Sequence, residues 1–235
     1  MTAPKGNGTQ PGHRYAPNRT APSQGDHKGK VRGGGTAGLR KARAAETATA
    51  LKDAARKVFA ERGYLNTKIT DITAVAGRAA GSFYNHFASK EELLQALLTD
   101  LLTAADDTVG DPEHDPDFTA RAAIRFHVAG YFAFYREHRT VMVALQQAAM
   151  VDKAFGARLA ELTAPDLGHL AEHFEYVRRA GHELPGPPAQ VAQAMAALLH
   201  GYASTYLDDP GDLTEEQAVD MITDLVHRGV VGRAP

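Results

Sequence analysis

Residues 72–93, ITAVAGRAAGSFYNHFASKEEL, contain two short helical segments with a glycine between them. Apolar residues in the 69–76 segment fall on one face of the first helix, and Gly77 interrupts that pattern. The second segment, residues 79–87, begins with small residues and contains three Phe or Tyr rings. Two short helices joined by a glycine turn predict a helix-turn-helix, the motif that places its second helix in the major groove of DNA.

Two longer helices flank this motif. Before it, apolar residues in the 51–59 segment recur at the i, i+3, i+4, i+7 and i+8 positions of one helix face, and Gly63 is placed to end that helix. Thr67 is the predicted N-cap of the short helix that follows. After the motif, Ser89 and Glu92 form a predicted capping box that opens a leucine-rich helix.

The second short segment has the side chains that a recognition helix needs. A helix that enters the major groove, about 12 Å wide, presents small or hydrogen-bonding residues outward and apolar anchors inward. Phe83 and Phe87 are the predicted anchors. The predicted outward residues are Ala79, Ala80, Gly81, Ser82, Tyr84, Asn85 and His86, followed by Lys90 where a helix start favours a phosphate. A hairpin of an ordinary helical bundle explains the apolar spacing but not this combination.

The composition excludes several classes of protein. The chain has 235 residues and no Cys, which excludes disulfide-stapled folds, Cys-ligated zinc and thiol catalysis. Residues 1–30 contain no apolar run of signal-peptide length, and no stretch approaches the ~18 apolar residues of a membrane span. The sequence therefore predicts a soluble, cytoplasmic protein with no membrane partner.

Charge is distributed unevenly along the chain. Residues 1–99 contain 16 Lys or Arg and 7 Asp or Glu, a net charge of +9, whereas residues 100–235 contain 10 and 21, a net charge of −11. A nucleic-acid surface is therefore expected in the first part of the chain and a different task in the second.

Residues 1–45 are predicted to form a disordered basic arm. They contain nine Gly, four Pro and nine Lys or Arg against one Asp, and too few large apolar residues to offset the entropy of ordering. Arg40, Lys41 and Arg43 are predicted to lie along a minor groove; alternatively, the tail only raises non-specific affinity. The match to GxGxxG at residues 33–38 lacks a preceding strand, and we interpret it as chance.

The remaining sequence is predicted to be helical throughout. Helices are expected at residues 118–137, 140–150, 153–181, 188–207 and 214–229. The acidic segment 106–117 between the two halves is expected to be a loop, and no segment shows the alternation of a β-strand. The predicted fold class is all-α.

Residues 46–102, and above all the 72–93 motif with its Tyr-x-His-Phe-x-Ser-Lys-Glu ending, resemble the DNA-binding domain of TetR-family transcriptional regulators, over about a quarter of the chain. The resemblance implies an N-terminal three-helix DNA-binding head that binds a palindromic operator. It also implies a larger C-terminal helical domain that binds an inducer and forms the homodimer. The implied divisions are the arm (residues 1–45), the head (residues 46–90) and the rear domain (residues 91–235).

The resemblance also assigns DNA contacts by position in the motif. These positions are Thr67, Lys68 and Thr70 in the helix that crosses the DNA backbone, Ala80, Gly81, Ser82 and Tyr84 at bases and sugars, and Tyr84, His86 and Lys90 at phosphates. Two positions depart from the family pattern. Ala79 replaces a capping Ser, whose loss costs about 1 kcal/mol of helix-start stability. Arg78 replaces an apolar residue, and it either compensates by reaching a phosphate or a guanine, or is merely solvated at the turn.

Two apolar stripes near the C-terminus predict where a second copy binds. The stripes consist of Val191, Met195, Leu198, Leu199, Tyr202 and Tyr206 on one helix, and of Ala218, Met221, Ile222, Leu225 and Val226 on the last helix. The resemblance makes residues 188–229 the homodimer interface, a four-helix bundle across a two-fold axis. The alternative is that both stripes cover the chain's own core.

The middle helices supply residues typical of apolar ligand sites. The predicted wall residues of an inducer pocket are Phe126, Tyr131, Met142, Gln146, His173 and Phe174, a set that also suits an ordinary core. His169 and His173 stand four residues apart, but no third ligand follows at helical spacing, so no metal site is predicted. No cofactor site and no catalytic residue are predicted, because the GxSxG, HExxH and P-loop motifs are absent.

The expected function is therefore a homodimeric repressor that a small apolar or amphipathic ligand releases from a palindromic operator. The alternative is an architectural or partner-controlled DNA-binding dimer without a small-molecule inducer. The alternative predicts that the rear domain lacks an enclosed cavity.

Overall fold

The computed structural model describes residues 34–106 and 114–231. All regular structure in these residues is helical, which confirms the all-α fold. The helices are α1 (Gly34–Arg62), α2 (Ile69–Val75), α3 (Ala80–Tyr84), α4 (Lys90–Asp106), α5 (Arg121–Val151), α6 (Lys153–Arg179), α7 (Pro188–Asp208) and α8 (Glu215–Val230). The expectations for residues 1–33, where the glycine motif begins, and for residues 107–113 lie outside the described residues. No helix among those described is both long and apolar enough to span a bilayer.

Most predicted helix ends are confirmed. Gly63 follows α1 with a φ of +72°, and Gly77 follows α2 with a φ of +62°, a region that favours glycine. Asp152 caps α6, because its carboxylate accepts hydrogen bonds from the backbone N–H groups of Ala154 and Phe155 at 2.8 and 3.1 Å. The break expected after residue 137 is a kink, since α5 continues through a single non-helical residue, His138.

The predicted limit of the arm at residue 45 is wrong for its last part. The chain divides into two units, residues 1–40 and 41–235, and α1 begins at Gly34 in the first of them. The segment 39–50 contains five Ala together with Leu, Lys and Arg, all strong helix formers. High intrinsic helix propensity and a covalently continuous amphipathic helix therefore outweigh the glycine content of the preceding residues.

Two clusters of buried side chains hold the second unit together. The first joins the head to α4 and to parts of α5 and α6, through residues such as Leu51, Phe83, Leu94 and Leu145. The second joins α5, α6, α7 and α8 around Phe132. The first cluster crosses the predicted boundary at residue 90, so the head and the start of the rear domain share one core.

Charged pairs on the surface fix α8 and the end of α7 against α5. They join Arg121 to Asp224 at 2.6 Å, Arg125 to Asp220 at 2.8 Å, Arg136 to Glu215, and Arg139 to Asp208. Each pair is exposed and contributes at most about 1 kcal/mol. These ion pairs therefore neutralise part of the net negative charge of the rear domain.

Candidate DNA-binding and regulatory sites

The helix α3 is held to the head by aromatic anchors, as predicted. The Phe83 side chain is completely buried and Phe87 nearly so, and their ring centroids lie 5.7 Å apart. No side chain caps the start of α3, where Ala79 is the N-cap residue. Packing of the two rings, rather than a capping hydroxyl, therefore fixes the orientation of this short helix.

The outward face of α3 presents small residues and one large polar tip. Ala79, Ala80, Gly81, Tyr84 and Asn85 are exposed, whereas Ser82 and His86 are half-buried. Tyr84 is 59% exposed, and a Cβ added at Gly81 would meet no atom within 4 Å. The predicted base-contacting residues thus lie together on a slim face that is suited to a groove.

The start of α2 differs from the prediction. Lys68, not Thr67, is the N-cap residue, and its backbone N–H donates to the Asp71 carboxylate at 2.9 Å. Thr67 is 3% exposed, and its hydroxyl donates to the Gly63 carbonyl at 2.7 Å. The hydroxyl closes the turn between α1 and α2, so this side chain is not exposed for the predicted DNA contact. Lys68 and Thr70 remain exposed.

Lys90 is also placed differently from the prediction. Its Nζ donates hydrogen bonds to the backbone carbonyls of Tyr64 and Thr67, at 2.7 and 2.9 Å, and lies 4.0 Å from the centroid of the Tyr64 ring. Burial lowers the pKa of this ammonium group. The turn between α1 and α2 leaves carbonyls that need donors, and Lys90 supplies them. Lys90 therefore positions the head and is not presented as a phosphate contact.

Tyr64 connects this turn to the rest of the chain. Its hydroxyl donates to the Glu91 carboxylate at 2.6 Å, and its backbone N–H donates to the Gln147 side-chain oxygen at 2.9 Å. Burial opposes the charge of Glu91, but the hydrogen bonds it accepts outweigh that effect and lower its pKa. The head is thus tied to both α4 and α5 through one residue.

Arg78 is not simply solvated at the turn. Its backbone N–H donates to the Thr73 carbonyl at 2.9 Å, and its guanidinium lies 3.4 Å from the Glu46 carboxylate of α1. Its Nε is buried without a partner among the described residues. The side chain therefore lies against α1 instead of projecting freely from the turn.

The three basic residues that precede the head are helical. Arg40, Lys41 and Arg43 are exposed residues of α1. An α-helix is about 10–12 Å wide with its side chains, whereas the minor groove is about 6 Å wide. The helix itself is therefore too wide to lie in the minor groove, and contact with DNA is left to the exposed side chains of these residues.

In the rear domain, two of the six predicted wall residues meet at a histidine on α7. The Tyr131 hydroxyl lies 2.9 Å from Nδ1 of His200, and the Gln146 amide lies against Nε2 of the same ring. The Tyr135 ring packs edge-on against His200 at 5.4 Å. Tyr135 is completely buried, and its hydroxyl has no partner among the described residues. We call these four residues the tyrosine–histidine cluster.

The tyrosine–histidine cluster is rich in hydrogen-bond donors. Burial lowers the pKa of His200 and raises the pKa of Tyr131, so both groups are neutral at pH 7. The Gln146 amide donates to Nε2 of His200, which leaves Nδ1 to donate to the Tyr131 oxygen. The hydroxyl protons of Tyr131 and Tyr135 are then both left for a further acceptor, in a surrounding that is otherwise apolar.

Two other predicted wall residues, Phe126 and His173, lie at a different place. His173 of α6 meets His127 of α5 and His114, which precedes α5; one ring nitrogen from each lies within 4.8 Å of the others. Phe118 stacks on His173 with ring centroids 4.5 Å apart. Burial lowers the pKa of His127 to about 4 and also lowers that of His173. We call His114, His127 and His173 the histidine cluster.

The remaining wall residues, Met142 and Phe174, are core residues. Phe174 is completely buried, and Met142 packs against both hydrophobic clusters. An open cleft of about 340 Å³ lies between α4 and α6. Its lining consists of Glu92, Gln95, Ala96, Thr99, Arg158, Glu161 and Leu162. None of the six predicted wall residues lines this cleft, and the cleft is open rather than enclosed, as expected for the alternative without a small-molecule inducer.

The apolar stripes of α7 and α8 are only partly free for a second copy. Most of their members lie in the chain's own core: Met195, Leu199 and Tyr206 of α7, and Ala218, Ile222 and Val226 of α8. Val191, Leu198 and Tyr202 are half-buried. Met221 and Leu225, one turn apart on α8, are 44% and 58% exposed. The part of the stripes left uncovered is therefore centred on these two residues.

Several residues of these clusters were not found from sequence. Tyr64, Gln147, His127 and His200 follow no local motif, and they meet partners that are distant in the sequence. Tyr131 and Tyr135 are four residues apart on one helix face, a spacing that signals only neighbouring side chains.

Two family profiles match the chain. "Bacterial regulatory proteins, tetR family" matches residues 51–97, and "BetI-type transcriptional repressor, C-terminal" matches residues 120–231. Curated relatives include the HTH-type transcriptional repressor DhaR of a Mycobacterium species, 44% identical over 64 residues, and the HTH-type transcriptional regulator TtgR of Pseudomonas putida, 43% identical over 61 residues. Each alignment covers 26% of this chain but only 32% and 29% of those relatives, about a third of their length.

Solved structures share the fold over a larger part of the chain. The fatty acid degradation regulator FadR from Bacillus halodurans gives a TM-score of 0.62 at 18% identity, over 78% of this chain and 95% of its own. A bacterial regulatory protein in the tetR family from Rhodococcus RHA1 gives a TM-score of 0.63 at 21% identity, over 78% and 96%. At these identities the likeness shows the fold alone: a helix-turn-helix domain followed by a helical C-terminal domain.

Proposed function

Because this chain belongs to the TetR family of bacterial transcriptional regulators, we propose that it is a homodimeric repressor that leaves a palindromic operator when a small amphipathic ligand binds in the rear domain. Members of the family are transcription factors and not enzymes. The exposed face of α3 supports operator binding, because its small residues and the Tyr84 tip suit a major groove.

The tyrosine–histidine cluster is the observation that carries the ligand response. A buried hydroxyl without a partner costs about 1–3 kcal/mol, and Tyr135 has such a hydroxyl in the core between α5 and α7. A ligand with a carboxylate or carbonyl oxygen would accept from Tyr131 and Tyr135 and so remove that cost, provided that α5 and α7 move apart to admit it, because Tyr135 is completely buried. The ligand's apolar part then contacts the surrounding core, which explains why we propose an amphipathic molecule.

A short path connects the tyrosine–histidine cluster to the head. Gln146 contacts His200, and its neighbour Gln147 accepts the hydrogen bond of the Tyr64 backbone N–H. A ligand that shifts this part of α5 changes how the turn between α1 and α2 is held. The two heads of a dimer must lie about 34–36 Å apart to occupy successive major grooves. A ligand releases the operator only if it prefers a conformation with a different spacing.

Replacement of Tyr135 by Phe tests the ligand site. We expect the free energy of unfolding to rise by about 1 kcal/mol, because the substitution removes an unpaired buried hydroxyl. A thermal-shift screen of apolar and amphipathic compounds, carboxylates included, identifies the ligand, and a gel-shift assay measures operator release. Affinity for that ligand should fall roughly 10- to 100-fold in Tyr135→Phe, since a hydrogen bond to a charged group contributes about 1.5–3 kcal/mol.

Tyr206→Phe is the matched control for this experiment. The Tyr206 hydroxyl already donates to the Leu213 carbonyl at 3.1 Å, so its removal should lower stability slightly and leave ligand affinity unchanged. If Tyr135→Phe is less stable than the unmodified protein, or binds the ligand equally well, the assignment fails. If no compound in the screen stabilises the protein, the partner-controlled dimer is favoured instead.

The basic residues at the start of the head give a second prediction. We expect Arg40, Lys41 and Arg43 to contact phosphates, so changing all three to Gln should flatten the dependence of log affinity on log salt. Each lost phosphate contact lowers that slope by about 0.9, and two protomers double the effect. The measurement is operator binding by fluorescence anisotropy at several salt concentrations. Deletion of residues 1–29 is the control and should leave the slope unchanged; a slope unmoved by the triple substitution contradicts the contacts.

A further inference from the structure

We propose that His114, His127 and His173 bind a divalent transition-metal ion, Zn²⁺ in the first place, with a fourth position open to water or an anion. Neutral imidazole nitrogen is a preferred ligand of Zn²⁺, and three protein ligands with one open position are typical of zinc sites that are not purely structural. This site differs from the expectation of no metal, and it does not depend on the proposed function.

The arrangement of the three rings fits a metal ion. One nitrogen from each lies within 4.8 Å of the others. A Zn–N distance of about 2.0–2.1 Å in a tetrahedral site places such nitrogens roughly 3.4 Å apart, so each has to move by about 1 Å at most. His114 is half-buried and precedes α5, so its ring can make most of that adjustment and provides a path from solvent.

Backbone carbonyls already orient two of the rings for ligation. Nδ1 of His127 lies 2.9 Å from the Ala123 carbonyl, and Nδ1 of His173 lies 3.1 Å from the Pro116 carbonyl. A carbonyl accepts only from N–H, so each Nδ1 carries the proton and each Nε2 keeps a lone pair. Histidines that ligate metals are held by the same kind of hydrogen bond on the other nitrogen.

Apolar and acidic residues around the three histidines also suit a metal ion. Phe118 stacks on His173 and lies edge-on to His127 with ring centroids 4.8 Å apart, so apolar groups restrict one side. Asp115 and Glu172 place negative charge near His173, which favours a cation. Aromatic packing alone accounts for the ring contacts, but it does not account for two neighbouring imidazoles whose Nε2 lone pairs have no donor among the described residues.

Metal titration of the full-length chain tests the proposal. After treatment with a chelator, the protein is titrated with Zn²⁺ in competition with a chromophoric chelator. We expect one ion per chain, and a melting temperature higher by roughly 5–10 °C at about a hundred times Kd. His127→Gln and His114→Gln should each weaken binding by roughly 100-fold. Co²⁺ should give the intense visible absorption of a tetrahedral site in the unmodified protein and lose it in both variants.

His169→Gln is the matched control, because His169 is exposed on the same helix as His173, one turn before it. We expect this variant to bind Zn²⁺ like the unmodified chain. His114→Gln changes a half-buried residue outside the helices, so it keeps the test valid if His127→Gln does not fold. Absence of stoichiometric Zn²⁺ binding overturns the proposal, and so does equal weakening by His169→Gln and His114→Gln.

Discussion

Monomers that no longer hold the operator are the expected result of Leu225→Asp. Met221 and Leu225 are exposed on α8, while the opposite side of that helix is buried against α5. In a two-fold dimer through α7 and α8, the same patch of each protomer is covered by the other. Each buried, unpaired carboxylate costs roughly 3 kcal/mol, and two of them weaken dimerisation by about 10⁴-fold.

Loss of the dimer should also abolish tight operator binding, because a monomer occupies only one half-site. Sedimentation velocity measures the oligomeric state, and a gel-shift assay measures binding to the palindrome. The single chain should still fold, since Leu225 is 58% exposed in it, and circular dichroism checks that.

Met150→Asp is the matched control for the interface. Met150 is 85% exposed on α5, outside the two helices proposed to form the interface, so this variant should remain a dimer and bind the operator. A folded Leu225→Asp dimer that still binds the palindrome contradicts the assignment of α8 to the interface. Monomers formed equally by Met150→Asp would move the interface elsewhere.

Operator affinity is expected to fall at least roughly 30-fold in Gly81→Glu, with the fold unchanged. Gly81 is exposed on α3, and a Cβ at this position meets no atom within 4 Å. A longer side chain therefore projects from the helix without a clash. In the major groove it would place a carboxylate among phosphates and base acceptors, a mismatch of about 1–3 kcal/mol for each head. Because the dimer binds through two heads, this cost applies twice.

Gly168→Glu is the matched control, because it adds the same charge at a position away from α3. Gly168 is exposed in α6, and a Cβ there also meets no atom within 4 Å. This control should bind the operator like the unmodified protein in an anisotropy titration at fixed salt. If Gly81→Glu retains full affinity with an unchanged melting temperature, α3 does not face the bases.

Several site residues could be predicted because their roles depend on near neighbours. Phe83 and Phe87 are anchors because their spacing puts them on the inner side of a short helix. Ser89 accepts from the Glu92 backbone N–H at 3.2 Å, as a capping box requires, although the Glu92 carboxylate accepts from Ala88 rather than from Ser89. In such cases both partners are within four residues of each other.

The partners of Thr67 and Lys90 could not be predicted from near neighbours. A Thr before a helix and a Lys at a helix start have several possible partners, and the sequence does not choose among them. The fold brings Lys90 against two carbonyls of a turn 23 and 26 residues earlier, and the turn itself takes the Thr67 hydroxyl. Both side chains thereby have partners within the chain that their positions in the sequence do not indicate.

The sequence by itself determined the all-α fold, the place of the helix-turn-helix and the glycines that end α1 and α2, because helical periodicity and caps are local. Only the tertiary structure decided which side chains meet. It brought Tyr131 to His200 and His114 to His173, and it left Leu225 uncovered while Ile222 was buried. Such contacts join residues on different helices, and the energy that selects them comes from packing whole helix faces, which no local pattern contains.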